Sequence, residues 1–440
     1  MDGPGVLDRP CAAANGRGCS EPLWVCAMGN PIGAAPVLAV ALAAGLATGF
    51  AARALNASAA DLVPRHLREG RQLLDDPGDA RSWLEERGIA IDGFWNGQLG
   101  LLLRDGIDGA VRQSGSADLI MRADLARLGV PFGGQLLGHL KGNYGRNVNG
   151  LAAALGEPID DADGDAFYVD QLWYEQLFAD GLLRVRLGYQ DQQVAFDRNP
   201  YANNEDKQFL NTFLDNDPIV PLEIGIAALV VVAPTPWLEL AAAAADADVP
   251  PGSLGIDSAF DDFASLTGLF EATLHGALGS ELPGALRLGF FCDGAARSTF
   301  GTSGSDRGHL GAYLSADQRV WTEPGNPFRG IGIFARAGYA DGDVYPIEAY
   351  WSLGAEFAGT VPGRQRDALG IAIYQTLPSA RYRDEIDLAF DSEIGIESYY
   401  RIQLAPWLAL SPDAQWIHNP GRVPGAPDAV VLTLRVRVEL

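Results

Sequence analysis

Beyond residue 60 this chain is short of thiols, histidines and long apolar runs, and each shortage removes a class of protein. Of its four cysteines, Cys11, Cys19 and Cys26 precede the first apolar stretch and only Cys292 lies in the body. A single thiol closes no intramolecular disulfide, and no Cys/His spacing for zinc remains. Five His occur, with no His-Glu-x-x-His, phosphate loop or Gly-x-Ser-x-Gly elbow, so the usual marks of metalloproteases, nucleotide hydrolases and serine hydrolases are missing. Carboxylates are plentiful, but carboxylate pairs without geometry do not make a glycosidase. Basic residues are scarce: Lys+Arg 32 against Asp+Glu 56 gives a formal net charge of -24. That argues against a nucleic-acid partner, which needs a basic surface to displace counterions from phosphates. Nothing asks for a cofactor or a metal, and the chain reads as a non-enzyme.

What is present is a period of two. Gly 53, 9% aromatic and 20% charged residues suit many short strands and turns. In the last segment Val430, Leu432, Leu434, Val436, Val438 and Leu440 share one face, and Thr433, Arg435, Arg437 and Glu439 share the other. Charge alternating with aliphatic side chains marks a transmembrane β-barrel wall, where lipid-facing and lumen-facing positions interleave.

Three regions are expected. Residues 1–59 form an export region: an apolar stretch from Ala34 to Ala52 precedes Ala57-Ser58-Ala59, a small-residue cleavage pattern that starts the mature chain near Ala60. No Lys or Arg stands just before that stretch, Met28 is an alternative start, and a membrane-anchoring helix is the competing reading. Residues 60–89 carry one helical pattern, ended by Gly88 as a C-cap. Residues 90–440 hold about sixteen candidate strands, the first near 90–103 and the last near 428–440, which makes an all-β, antiparallel barrel of even strand number. Short turns such as Ala179-Asp180-Gly181 and Pro234-Thr235 alternate with longer polar loops. The longest runs from Gln192 to Pro218 and reads either as a solvated surface loop or as one that folds inward.

Taking apolar faces as lipid-facing gives the inward set. Arg184 and Arg186 point inward from strand 181–190, Arg287 from 284–294, Arg336 from 330–340, His139 and Lys141 from 133–144, Glu271 and His275 from 268–279, and Glu393 and Glu397 from 391–402. Arginine and carboxylate rows on opposite walls would set a transverse field and offer hydrogen bonds to solute hydroxyls. Phe94, Trp95, Trp237, Trp321, Tyr350, Trp351, Tyr399, Tyr400, Trp407 and Trp416 fall near strand ends, where interfacial girdles place aromatics. The acidic run Asp160-Asp161-Ala162-Asp163-Gly164-Asp165 alternates oxygen donors like a calcium loop, but lacks the distal Glu and flanking helices of an EF-hand and reads as a solvated loop.

Several blocks carry a resemblance. The string LALSPDAQWIHNPGR with Pro427-Asp428-Ala429-Val430-Val431 closes the chain. Upstream lie Tyr168-Val169-Asp170-Gln171-Leu172-Trp173-Tyr174-Glu175-Gln176, Gly188-Tyr189-Gln190-Asp191, Pro283-Gly284-Ala285-Leu286-Arg287-Leu288-Gly289, Gly330-Ile331-Gly332-Ile333-Phe334-Ala335-Arg336 and Gly363-Arg364-Gln365-Arg366-Asp367. In this order, over roughly residues 80–440, they resemble the carbohydrate-selective outer-membrane porin family, often called OprB-like. Two departures stand out: Pro77-Gly78-Asp79-Ala80 where the family usually has Trp-Gly-Gly, and Leu440 where a terminal Phe is usual. The resemblance implies a sixteen-stranded barrel that passes sugars by facilitated diffusion through an arginine-bearing constriction.

The expectation is therefore an outer-membrane porin of a Gram-negative-type bacterium, monomer or homotrimer, whose partners are small sugars and outer-membrane lipid. Arg184, Arg186, Arg287, Arg336, Glu271, Glu397, His139 and Lys141 are the candidate substrate-binding residues, chosen by alternation and position. The alternatives are a non-selective diffusion porin and a soluble β-rich carbohydrate-binding protein or glycosidase.

Overall fold

In lipid every backbone N–H and C=O must be paired within the protein, so strands can cross only as a closed sheet. The computed structural model meets that demand. It describes residues 72–440 apart from 75, 105–106, 162, 222–223, 247–264, 277–281, 387–390 and 423–424; the apolar stretch at 34–52 and its cleavage pattern lie outside the described residues. Sixteen strands form the barrel: β1 (Ile89–Arg104), β2 (Ile107–Asp124), β3 (Gln135–Gly145), β4 (Ala166–Phe178), β5 (Leu183–Gln190), β6 (Gly225–Thr235), β7 (Leu238–Asp246), β8 (Leu266–His275), β9 (Gly284–Asp293), β10 (His309–Glu323), β11 (Asn326–Ala340), β12 (Ile347–Ala358), β13 (Ala368–Pro378), β14 (Ile394–Ala405), β15 (Leu408–His418) and β16 (Ala429–Glu439). Each pairs antiparallel with its neighbours in sequence. β1 closes on β16, from Phe94 opposite Glu439 to Arg104 opposite Ala429. Between β9 and β10 a short ribbon pairs Arg297–Ser298 with Ser305–Asp306.

The period of two is realised wall by wall. Outward Leu187, Phe290, Tyr339 and Leu353 are exposed, while inward Arg287, Arg336 and Arg435 are buried. An exposed aliphatic belt of this extent is stable only against hydrocarbon. Connections after even-numbered strands are mostly short, such as 236–237, 324–325 and 406–407, and those after odd-numbered strands mostly long. By the usual asymmetry the short end faces the periplasm.

Of the segment expected at 60–89 the described part begins at residue 72, and within it the helix α1 spans Ala80–Glu86. Asp76 starts it, accepting from Arg81 N (2.7 Å) and Ser82 Oγ (2.5 Å). Gly88, at φ 88, ends it, where an L side chain is strained. Arg81 Nη2 donates to the Leu440 carbonyl at 3.1 Å, so the segment is tied to the short-turn rim where the barrel closes.

The lumen is not uniformly polar. The long connection between β5 and β6, residues 191–224, turns inward, and its Phe196, Phe209, Phe213 and Leu214 form a core with Leu229, Phe291, Tyr313, Phe334 and Tyr350 of the wall. This corrects the girdle reading. Trp237 and Trp321 are exposed, but Tyr350 and Tyr399 point inward and meet Phe213 and Phe209 edge-on, at 6.2 and 5.1 Å between ring centroids. They sit on inward positions, and the loop supplies rings to meet them. Gly332 is bare because the Tyr201 ring of the loop lies where a Cβ would stand. The β3–β4 connection also folds in: Val148 and Ile159, before and after its short helix α2 (Asn149–Ala152), pack with Leu102, Ile417 and Val431.

Candidate functional site

With one side of the lumen filled, open space remains against the other. A cavity of about 1080 Å³ lies between the inward faces of β1–β4, β9 and β16 and the inward-folded connection. Strand parity places Asp118, His139 and Lys141 on its wall, and the connection presents Arg198, Asn203 and Lys207.

The wall is organised by charge pairs. His139 Nε2 lies 2.8 Å from Asp118 Oδ1 and its Nδ1 2.9 Å from Asp170 Oδ2. With a carboxylate at each ring nitrogen, the imidazole can donate from both, as the charged form does. Lys141 Nζ lies 3.0 Å from Asp161, which also accepts from Ser116 Oγ at 3.0 Å. Three carboxylates of the acidic run thus hold its own loop to the wall: besides Asp161, Asp163 accepts from Asn147 N and Asp165 from Gly145 N. Among the described residues no group of three or more His, Cys, Asp or Glu is placed to hold a metal ion.

The sequence-derived candidates divide into three groups. His139, Lys141 and Arg287 border the cavity, Arg287 with its Nη1 2.6 Å from Asp317. Arg184 and Arg186 lie on the inward face of β5 outside that cavity. Arg186 Nη2 is 2.8 Å from Glu175, and its guanidinium stacks 4.0 Å above the Trp173 ring; Arg184 Nε is 3.8 Å from the same carboxylate. Arg336, Glu271 and Glu397 are enclosed by the inward connection. Arg336 Nε lies 2.9 Å from Asp197, and its other nitrogens donate to the carbonyls of Leu214 (2.8 Å) and Ala202 (2.5 Å) and to Asn203 Oδ1 (2.7 Å). Glu271 accepts from Asp197 N and Tyr313 Oη, and Glu397 from the backbone N of Leu210 and Asn211. These three clamp the connection in place.

Opposed rows of arginine and carboxylate are absent from the described wall. Most inward cations are paired with their strand neighbours or with the connection: Arg186 with Glu175, Arg287 with Asp317, Arg437 with Asp206. Local pairing wins because a charge in a narrow lumen lowers its energy most through the nearest opposite charge.

Sequence reasoning missed Asp118, Asp170 and Arg437 as cavity residues, although their inward parity was available. It had no signal for Asp197 or Arg198, which reach their places only through the loop fold. Burial beside Asp197 pushes the Asp217 carboxyl up to about 7, and burial also raises Asp215, so the connection holds protonatable acids in its packed interior.

Comparison with known proteins agrees with this architecture. The family model described as "Carbohydrate-selective porin, OprB family" matches residues 108–440. Porin B of Pseudomonas aeruginosa is 24% identical over 316 residues, covering 62% of this chain and 68% of that one. The high-pH structure of Pseudomonas putida OprB superimposes with a TM-score of 0.74 at 19% identity, over 85% of this chain and 99% of that one. The low-pH structure of that protein gives a TM-score of 0.57 at 18% identity over the same shares.

Proposed function

The chain belongs to the carbohydrate-selective porin, OprB family, and from that premise we propose that small sugars cross it between the β1–β4 wall and the inward 191–224 connection. As a member it is a sugar porin of the outer membrane of a Gram-negative-type bacterium. The observation that carries the proposed route is the cavity of about 1080 Å³ bounded by paired charges. A sugar hydroxyl passing His139, Lys141, Arg198 or Arg287 exchanges water for a charge-assisted hydrogen bond. Because each of these groups already has a carboxylate partner, the exchange is weak and the solute leaves again, as conduction requires. Arg184 and Arg186 extend the polar track along β5, and Arg336, Glu271 and Glu397 act by holding the connection that narrows it. Transport is passive and no bond is made or broken.

Purified protein in planar bilayers should give stepwise conductance that a monosaccharide partly blocks, and liposomes should swell faster with sugars than with amino acids of similar size. Silent bilayers would sink the route; equal swelling with both solutes would reduce it to a non-selective channel.

A further inference from the structure

Arg198, Arg287, Arg437 and Lys141 at the large cavity are paired, whereas inward Arg401 has no ion-pair partner among the described residues. We propose that a second, smaller cavity at the short-turn end, built around Arg401, is an anion subsite that takes the acid group of sugar acids. It rests on the channel reading above and widens the substrate class from neutral to anionic sugars.

The cavity, about 130 Å³, is lined by Arg401, Lys207, Arg437, Glu439, Gln403 and Trp407, among others. Arg401 is half-buried on the inward face of β14, and its Nε is buried with no hydrogen-bond partner. No ion pair or hydrogen bond joins its guanidinium to a described residue. The neighbouring cations are satisfied. Lys207 Nζ is 3.2 Å from Glu439, and Arg437 lies 2.8 Å from Glu439 and 3.0 Å from Asp206. Three cations and one carboxylate, Glu439, line this cavity; Lys207 and Arg437 take up Glu439 and Asp206, and the charge left over is that of Arg401. In a chain of formal net charge -24, a local excess of positive charge with unused N–H donors is a recess for an oxyanion.

Shape and chemistry narrow the occupant. A guanidinium is a planar fork that matches the two oxygens of a carboxylate. A space of about 130 Å³ admits that group and a few waters, each taking about 30 Å³ in the liquid, rather than a whole sugar. The recess shares Lys207, Arg437 and Glu439 with the main cavity, so an acid group can seat there while the polyol part stays in the larger space. Trp407 and Pro406 of the β14–β15 turn line the same recess and supply apolar surface for the C–H groups beside the carboxylate.

The test compares block of single-channel current by glucuronate and by glucose, added to both sides of the bilayer, for the wild-type chain, Arg401→Gln and Arg401→Lys. Wild type should be half-blocked by glucuronate at a concentration about tenfold below that for glucose, the scale of one charge-assisted hydrogen-bonded contact. Raising KCl should shrink that advantage. In R401Q the ratio should fall to near one, and in R401K, which keeps the charge but loses the fork, to an intermediate value; heat-modifiable gel migration reports folding of each. If R401Q fails to fold, R401K decides. Equal block of the wild type by the two solutes, or a glucuronate advantage that survives both substitutions, overturns the subsite alone. Bilayers without conductance steps would remove the channel reading and this site with it.

Discussion

The two sides of the lumen are built from the same alternating strands and use their charges in opposite ways. Around β8–β14 the inward residues meet the 191–224 connection: Arg336 is wholly enclosed, and Glu271 and Glu397 accept backbone N–H groups. Along β1–β4 several inward residues, His139 and Lys141 among them, border open space, and Lys141 keeps 15% of its side chain exposed beside Asp161. Alternation gives Lys141 and Arg336 the same direction. Whether the end of the side chain meets water or a folded segment is decided by what occupies the lumen. One side is a hydrophobic core held by buried charge; the other borders the cavity of about 1080 Å³ proposed as the route.

The sharpest way to break this contrast is Arg336→Met. It leaves Asp197 buried without its cation, a change that typically costs about 3–5 kcal/mol. The connection should come loose, seen as a larger single-channel conductance and a lower temperature for the gel shift; an unaltered channel would mean that Arg336 is no clamp. Glu397→Gln is next. One amide oxygen replaces two carboxylate acceptors facing Leu210 N and Asn211 N, for a loss of about 1–3 kcal/mol and a smaller rise in conductance.

The third prediction is pH dependence. Asp217 lies in the packed part of the connection with its carboxyl raised from 3.8 to about 7 by burial beside Asp197. A raised folded-state value means the neutral acid suits the folded form, so its contribution is fully present below pH of about 3.8 and is lost as pH climbs through about 7. Conductance noise and opening should increase between pH 6 and pH 8.5, and Asp217→Asn should flatten that change. An equal pH response in the variant would assign the effect to other acids. The smallest effect on stability belongs to the open side. Arg198 pairs with Glu239 across 2.5 Å, with 36% of its side chain exposed, so Arg198→Gln should shift stability by less than about 1 kcal/mol while weakening block by sugars. A large loss of stability with unchanged block would place Arg198 among the clamps.

Much of the wall was readable beforehand. β16 spans Ala429–Glu439 where a last strand near 428–440 was expected, and inward Arg287 and Arg336 follow from the aliphatic positions flanking them. These features are local: a strand's faces repeat every two residues, and lipid forces the apolar set outward. The candidate site was readable only in direction. Nothing near residue 336 announces that Asp197, Ala202, Asn203 and Leu214 will close over its guanidinium, and nothing near Tyr350 marks it as a partner of Phe213 rather than a member of a girdle. The Asp76 cap of α1 shows the same limit at short range, since it lies three residues before the N-cap position Asp79.

By itself, then, the sequence determined a closed antiparallel barrel of about sixteen strands and the side on which most charged side chains emerge, because a backbone in hydrocarbon must pair every polar group and a pleated strand can only alternate. The tertiary structure alone decided which inward residues became clamps, which border the cavity and which, like Arg401, have no ion-pair partner among the described residues. Those roles depend on a connection that folds back onto residues distant in sequence, from 74 positions away for Glu271 to 187 for Glu397, through contacts that no local pattern encodes.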